Sequence, residues 1–314
     1  MDISFVVPLY NTGEGLPVLI QSFAALRLQK SWELILVDDG SIDGTGERAA
    51  TLLQSLPLNA KLVQLSRNYG EHAAVMEGYR QSQGEMVVNL DDDLQTPLEE
   101  ALRLIDQLEH SAAEVIYADY RQHKAHHWMR NLGSRAVNHM ASLLLGKPKD
   151  LYLSSFRAVK RGLVQRVLCY KGPYPYIDGL ILGATDRIAS LSVKHRERAH
   201  GQSTYTVRKL LRLTMTVLFD FNIMPLRIAS LLGLLLCLSG LGMTLAVLVE
   251  KATSVDVQTG WSSLMAAAAI FSGAQLLLLG LLGEYVGRSY LTLSGKPQCH
   301  VRTVYQTQPK PETL

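Results

Sequence analysis

Three consecutive aspartates, Asp91-Asp92-Asp93, followed by Gln95, are the residues whose type and spacing first suggest chemistry. Adjacent carboxylates repel one another, and at a strand end they are costly unless a cation neutralises them. If the backbone stays extended, Asp91 and Asp93 point the same way, Asp92 points away, and Gln95 follows on the first face. Two carboxylates and an amide oxygen suit a hard divalent cation, Mg²⁺ or Mn²⁺, which keeps several waters and takes phosphate oxygens. A solvated acidic turn is the simpler reading of an isolated Asp-x-Asp. A second acidic cluster, Asp38-Asp39-Gly40-Ser41, argues against it here, and a third polar cluster, Pro8-Leu9-Tyr10-Asn11, lies near the N-terminus.

The elements around these clusters are legible. Short β-rich runs predict strands at Ile3–Val7, Glu33–Val37, Lys61–Leu65, Met86–Leu90 and Glu114–Ala118. Helical patterns lie between them, near Leu16–Gln29, Thr45–Ser55, Glu71–Gln81 and Pro97–Glu109. The last has a start signal, with Thr96 as N-cap, Pro97 at the first helical position and Glu99 two residues on. This βαβα alternation predicts an α/β domain with an open, mostly parallel sheet. Such sheets bind ligands at the carboxyl ends of their strands, and all three polar clusters directly follow a strand.

Composition adds a second part. The chain has 314 residues, 47% hydrophobic and only 19% charged, against about 25% charged in a typical soluble domain. The deficit is concentrated, because residues 228–249 and 257–283 carry no charge. Ile228–Val249 and Leu264–Gly283 are uncharged around their full circumference and are expected to be transmembrane helices. Arg208, Lys209, Arg212 and Arg227 precede this region and Arg288, Lys296, Arg302 and Lys310 follow it, with Lys251 alone between the two runs. The positive-inside rule then puts both termini in the cytoplasm, in a multi-pass inner-membrane protein. Tyr205–Phe221 has a broad apolar face opposite Arg208, Lys209 and Arg212, as expected of a helix lying in the membrane interface. The expected divisions are a cytoplasmic domain over 1–204, an interfacial helix over 205–225, two spans within 226–286, and a cytoplasmic tail over 287–314 that is disordered from Gln306. Cys169, Cys237 and Cys299 have no metal-ligand spacing and fit a reducing compartment. The N-terminus has no signal-peptide pattern, so the large domain is expected to stay where it is made. A net charge of +3 is small, and no nucleic-acid partner is expected.

Several stretches together carry a family resemblance. They are Val6–Asn11, Val37–Thr45, Ser66–Ala74, Asn89–Pro97, Arg130 with Ser134, Ser155-Phe156-Arg157, and Arg198–Tyr205. In that order, with two apolar runs behind them, they resemble family 2 glycosyltransferases with the GT-A fold, of the polyprenyl-phosphate type. Asn68-Tyr69-Gly70 with His72-Ala73-Ala74 is most similar to undecaprenyl-phosphate 4-deoxy-4-formamido-L-arabinose transferases. Bactoprenol glucosyltransferases and dolichol-phosphate mannose synthases are also close. Two positions depart from the family pattern, which usually has Glu where this chain has Thr12 and Asp-Ala-Asp where it has Asp91-Asp92-Asp93.

The resemblance implies transfer of a sugar from a nucleotide-sugar, with uracil the expected base and guanine the alternative, to a polyprenyl (undecaprenyl) phosphate, with inversion; the alternatives are a membrane-anchored nucleotide-sugar-binding protein without catalysis and a transferase acting on a glycerolipid. Pro8, Tyr10, Asp38 and Asp39 match residues that hold base and ribose, and Asp91 the nucleotide-sugar as well. Asp91, Asp93 and Gln95 match the site of a divalent metal, Mg²⁺ or Mn²⁺, on the diphosphate. Arg130, Ser134 and Arg198, with Arg157 beside them, match groups that bind phosphate on the lipid acceptor or the leaving group. The resemblance also implies a membrane-bound homo-oligomer, a tetramer. Removal of everything after Asn222 is expected to leave nucleotide binding intact while weakening transfer to a long-chain acceptor.

Overall fold

The computed structural model describes residues 1–93, 95–121, 151–194, 224–253 and 260–307. Arg130, Ser134, Arg198 and the Tyr205–Phe221 segment lie outside the described residues.

The α/β domain is built in the order β1 (Ile3–Leu9), α1 (Gly15–Ala24), β2 (Trp32–Asp38), α2 (Thr45–Ser55), β3 (Ala60–Leu65), α3 (Glu71–Gln81), β4 (Met86–Asn89), α4 (Leu98–Glu109) and β5 (Val115–Asp119). After residue 150 come β6 (Arg157–Lys160), α5 (Arg161–Leu168), α6 (Ile177–Ala184) and β7 (Ile188–Ser192). Two long helices follow, α7 (Met224–Thr253) and α8 (Trp261–Leu293), then β8 (Val301–Thr307).

The strands form one eight-stranded sheet in the order β7-β5-β6-β4-β1-β2-β3-β8. β3, β2, β1 and β4 are parallel neighbours, and β5 pairs with β7 in parallel as well. β6 and β8 are antiparallel to their partners. β1 is buried along nearly its whole length, as its Ile3-Ser4-Phe5-Val6-Val7 run requires of a strand covered on both faces. One face packs on α1, α2 and α4 through Leu19, Phe23, Leu53, Leu104 and Leu108. The other packs on α3, α5 and α6 through Val75, Tyr79, Val164 and Ile181. α4 begins at Leu98 with Pro97 preceding it, one residue later than expected. Thr96 does not cap it, and its buried hydroxyl instead bonds Tyr120 Oη at 3.4 Å.

The tail expected from residue 287 is revised. α8 continues to Leu293, and Val301–Thr307 forms β8, so Gln306 and Thr307 belong to the sheet. The cause is an unpaired edge: β3 has a row of free ladder groups that an extended, β-branched segment such as Val301-Arg302-Thr303-Val304 satisfies. The residues leading into β8 are also spent on the domain. Arg80 Nη2 donates to Gln298 Oε1 at 2.6 Å, Gln298 Nε2 donates to the Gly172 carbonyl at 2.9 Å, and the Ser66 amide donates to the His300 carbonyl at 2.9 Å.

Among the described side chains of α7 and α8, many leucines are exposed, Leu231, Leu234, Leu238 and Leu279 among them. Ile270–Leu293 is long and apolar enough to cross a membrane, and none of its most apolar stretch is buried in the protein, whereas Leu226–Gly242 is a shorter apolar stretch. Exposed Leu276 and Leu277 would be unfavourable in water. Gly233 and Gly240 of α7 face Leu278 and Phe271 of α8, so these glycines serve a contact within the chain, whereas Gly242 has no such neighbour. Near its end α8 touches the α/β domain, where the Arg288 guanidinium lies 5.9 Å from the Tyr174 ring centroid.

Because β8 closes the sheet from beyond both helices, cutting the chain before it uncovers β3. The expectation that truncation after Asn222 is harmless to nucleotide binding is revised accordingly. A chain ending at Pro297 should melt at a lower temperature than the full chain and aggregate through the exposed strand, read by thermal melting and light scattering. Equal melting of the two chains would make β8 dispensable.

Candidate active site

The parallel core sets the site. Leu9 pairs with Asp38 and Val6 with Asn89, so the ends of β1, β2 and β4 reach one edge of the sheet. Strand order reverses at β1, with β2 on one side and β4 on the other, and this is where an open α/β sheet has its crevice. Pro8 and Tyr10, Asp38 and Asp39, and Asp91, Asp93 and Gln95 all follow or end these three strands.

Tyr10 is exposed beside this crevice. The loops after β1 and β2 are tied through Asn11, which adopts a left-handed conformation at φ 51°. Its amide donates to Ser41 Oγ and the Ile42 amide donates to its Oδ1, each at 3.0 Å.

Asp38 and Asp39 are both buried. Asp38 Oδ1 accepts the Ser41 amide at 3.1 Å. Its other oxygen lies against Gly46 at the start of α2, where any Cβ would collide with it and with Gln64. Asp39 accepts the amides of Tyr69 and Gly70 at 2.7 and 2.8 Å, drawing the loop after β3 onto the loop after β2. Gly40 makes that approach possible: it has φ +66°, and a Cβ there would run into the backbone of Arg67. Burial pushes the Asp39 carboxyl up to about 6, against the pull of its two amide donors. From the outer side Tyr69 carries the Arg67 guanidinium 5.0 Å from its ring centroid.

The acid loop is not extended. β4 ends at Asn89, and Asp92 and Asp93 lie in a turn, which replaces the strand alternation expected for them. Each carboxylate consequently has its own partner. Asp91 accepts the Ser155 hydroxyl at 2.8 Å, Asp92 accepts the Thr12 hydroxyl at 2.6 Å, and Asp93 Oδ1 accepts the Gln95 amide at 3.2 Å. Burial pushes Asp91 up to about 7, and the nearby charges of Glu71, Asp93 and Asp92 add to this against the Ser155 bond. Surplus negative charge of this kind is what a divalent cation offsets, so the donor set fits one. Among the described residues no three His, Cys, Asp or Glu side chains form a ready-made metal cage.

Arg157 is a correction. It is only 2% exposed, and its guanidinium is ion-paired with Asp178 and lies 5.8 Å from the Tyr117 ring centroid. Tyr117 donates to the same Asp178 oxygen at 3.1 Å. A guanidinium committed to a buried carboxylate inside the helix-covered core has no reach to a phosphate. The residue that serves the site from this segment is Ser155, two positions earlier. A hydroxyl carries no charge signature in sequence, and its role depends on β6 lying antiparallel beside β4. His72, in the matching Asn-Tyr-Gly segment, is buried edge-on to Tyr176, and burial pushes it down to about 4, so it is neutral at pH 7.

Two outcomes follow. Asp178→Ala should destabilise the protein by about 3–5 kcal/mol, because it strands the buried Arg157 charge; chemical denaturation measures this, and a change within about 0.5 kcal/mol would contradict the pairing. Asp39→Asn offers one acceptor oxygen where two amides need one each, so Tyr69 and Gly70 should exchange their amide hydrogens faster. Folded Asp39 also holds its proton more tightly than the unfolded value of 3.8 allows, so its contribution to stability falls as pH rises from 3.8 to about 6. The same variant should flatten that part of the stability–pH profile.

Known proteins agree with this geometry. The description of glycosyl transferase family 2 matches residues 4–168. The undecaprenyl-phosphate 4-deoxy-4-formamido-L-arabinose transferase of Yersinia enterocolitica is 34% identical over 306 residues, covering 96% of this chain and 93% of its own. The protein of the same name from Pectobacterium carotovorum is 35% identical over 323 residues, covering 100% and 97%. Among solved structures, glucosyl-3-phosphoglycerate synthase from Mycobacterium tuberculosis, in complex with Mn²⁺, UDP-glucose and phosphoglyceric acid, superposes with a TM-score of 0.51 at 21% identity. It covers 74% of this chain and 79% of that one. That likeness shows a shared GT-A fold. With the family description covering more than half of its residues, and relatives alike along nearly its full length, the chain belongs to glycosyl transferase family 2.

Proposed function

We propose that this enzyme transfers a sugar from a nucleotide-sugar to a polyprenyl phosphate at a membrane surface, with inversion at the anomeric carbon. The observation that carries the reading is the joining of two features in one chain. Four acids, Asp38, Asp39, Asp91 and Asp93, share the carboxyl edge of the sheet, and that same sheet is closed by β8, which follows the lipid-suited helix α8. The near full-length relatives carry undecaprenyl phosphate in their names, and a structural neighbour was solved with Mn²⁺ and UDP-glucose.

In this reading Pro8 and Tyr10 border the base and ribose, and Asp38 and Asp39 fix the loops that frame them. A Mg²⁺ or Mn²⁺ held by Asp91, Asp93 and Gln95 would supply positive charge to the leaving diphosphate. Ser155 holds Asp91 in place for this. A phosphate monoester is mostly dianionic at pH 7, since its second pKa is near 6, and it attacks without a strong general base. What remains for the protein is to bring two anions together and hold them in line. Arg130, Ser134 and Arg198 are proposed for that work, because guanidinium forks suit phosphate oxygens.

The apolar helices and the interfacial segment over 205–225 serve the acceptor. A very long polyprenyl tail stays in the bilayer, so the site must sit at headgroup level. α8 at about 50 Å exceeds a hydrocarbon core of about 30 Å. Its remaining turns carry Arg288, ion-paired with Glu284 one turn earlier, to Tyr174 of the α/β domain. We take both α7 and α8 as spans, with the catalytic domain and both termini cytoplasmic and the enzyme a homo-oligomer.

The test is a screen of UDP-sugars with the full-length enzyme in nanodiscs, offering undecaprenyl phosphate or diacylglycerol and reading the mass of the lipid product. Product on undecaprenyl phosphate alone is expected; product on diacylglycerol alone would overturn the acceptor. Asp93→Ala and chelation should each lower turnover by about 10²–10³-fold, and full turnover in excess chelator would exclude the metal. The product anomer, determined by NMR, should be inverted relative to the donor, and retention would overturn the single displacement.

A further inference from the structure

The middle aspartate of the acid loop does something its neighbours do not. Asp91 is held by Ser155 and Asp93 bonds within its own loop, but the Asp92 carboxylate crosses the crevice between β4 and β1 to accept the Thr12 hydroxyl at 2.6 Å. That length lies in the range of charge-assisted O–H···O⁻ bonds. Thr12 follows Asn11, whose amide and side chain already grip Ser41 and Ile42. A continuous path of hydrogen bonds thus runs from the loop after β2, through the loop after β1, to the loop after β4. The bond spans the place where strand order reverses, with the proposed nucleotide groups on one side and the proposed metal acids on the other.

We propose that Thr12 and Asp92 are positioning residues, whose hydrogen bond sets the spacing between the loop that holds the nucleotide and the loop that holds its diphosphate. Asp92 acts through Thr12 and not as a metal ligand. The two positions that depart from the family pattern are therefore one feature, since the hydroxyl of one occupies the carboxylate of the other. The proposal rests on the nucleotide-sugar reading above.

Calorimetric titration of the full-length protein with UDP in the presence of Mn²⁺ tests it. Thr12→Val and Asp92→Ala should each weaken binding about tenfold, the effect of roughly 1.4 kcal/mol. The double variant should lose no more than Asp92→Ala alone, because the bond that Thr12→Val removes is already gone in Asp92→Ala. Thr12→Ser should restore binding. Asp92→Asn, whose amide oxygen still accepts from the Thr12 hydroxyl, should stay close to the wild type and keep its Mn²⁺ dependence. A double variant whose loss is the product of the two single losses would overturn the proposal. So would an Asp92→Asn variant that loses its response to Mn²⁺, since Asp92 would then be a ligand. The two conservative variants keep the test sharp should Asp92→Ala fail to fold. Wild-type protein that does not bind UDP at all would overturn the nucleotide reading itself, a result distinct from multiplicative losses in a protein that binds.

Discussion

Like charges crowded at the carboxyl edge of a parallel sheet are the constraint on which the rest of this structure depends. Parallel pairing of β1, β2 and β4 brings Asp38, Asp39, Asp91, Asp92 and Asp93 to one edge. Burial disfavours the charged forms of Asp39, Asp91 and Asp92, and their acidic neighbours add repulsion. The protein answers with neutral donors: the Ser41, Tyr69, Gly70 and Gln95 amides and the Ser155 and Thr12 hydroxyls. None of these donors is a cation. They orient the carboxylates and leave the negative potential in place, which suits the metal and the diphosphate proposed for this edge. The same bonds lock the loops to one another, so the site's shape and its charge have a single origin.

The second constraint is topological. After the two long apolar helices the chain returns to the α/β domain, and β8 completes the sheet. β8 pairs with β3, and the residue before it accepts the amide of Ser66, at the start of the loop that Asp39 grips from the other side. The loop after β3 is therefore held between the acid pair and the segment that emerges from α8. The strand that follows the apolar helices and the loop after β3 thus share a wall, which ties the proposed membrane anchorage to the integrity of the candidate site.

Much of this was legible in sequence because it rests on local periodicity. The helices Thr45–Ser55 and Glu71–Gln81 have the bounds their apolar spacing predicts, and the first five strands lie where β-branched runs placed them. The acidic clusters were recognisable because carboxylates at strand ends are costly and demand a reason. Reading failed where long-range pairing governs. β8 carries β-branched residues, but only the unpaired edge of β3 makes a strand of them. Arg157 carries the charge of a phosphate ligand, but its β-strand position turns it into the core, where Asp178 on a helix 21 residues later meets it. The partners of Ser155, Thr12 and Asp92 were not legible, because a hydroxyl or an aspartate is equally common on any loop and spacing does not say what it meets.

By itself, then, the sequence determined the α/β alternation, the placement of three polar clusters after three strands, the concentration of apolar residues near the C-terminus, and the family these features resemble. The first three follow from composition or from spacing along the chain, and the last is a resemblance carried by particular stretches. Only the tertiary structure decided which carboxylate faces which partner, that Arg157 belongs to the core, and that the chain's return closes the sheet. Those outcomes depend on which strands become neighbours and in which direction. That is fixed by the burial of both sheet faces and by satisfaction of the backbone groups at its edges, not by any local run of residues.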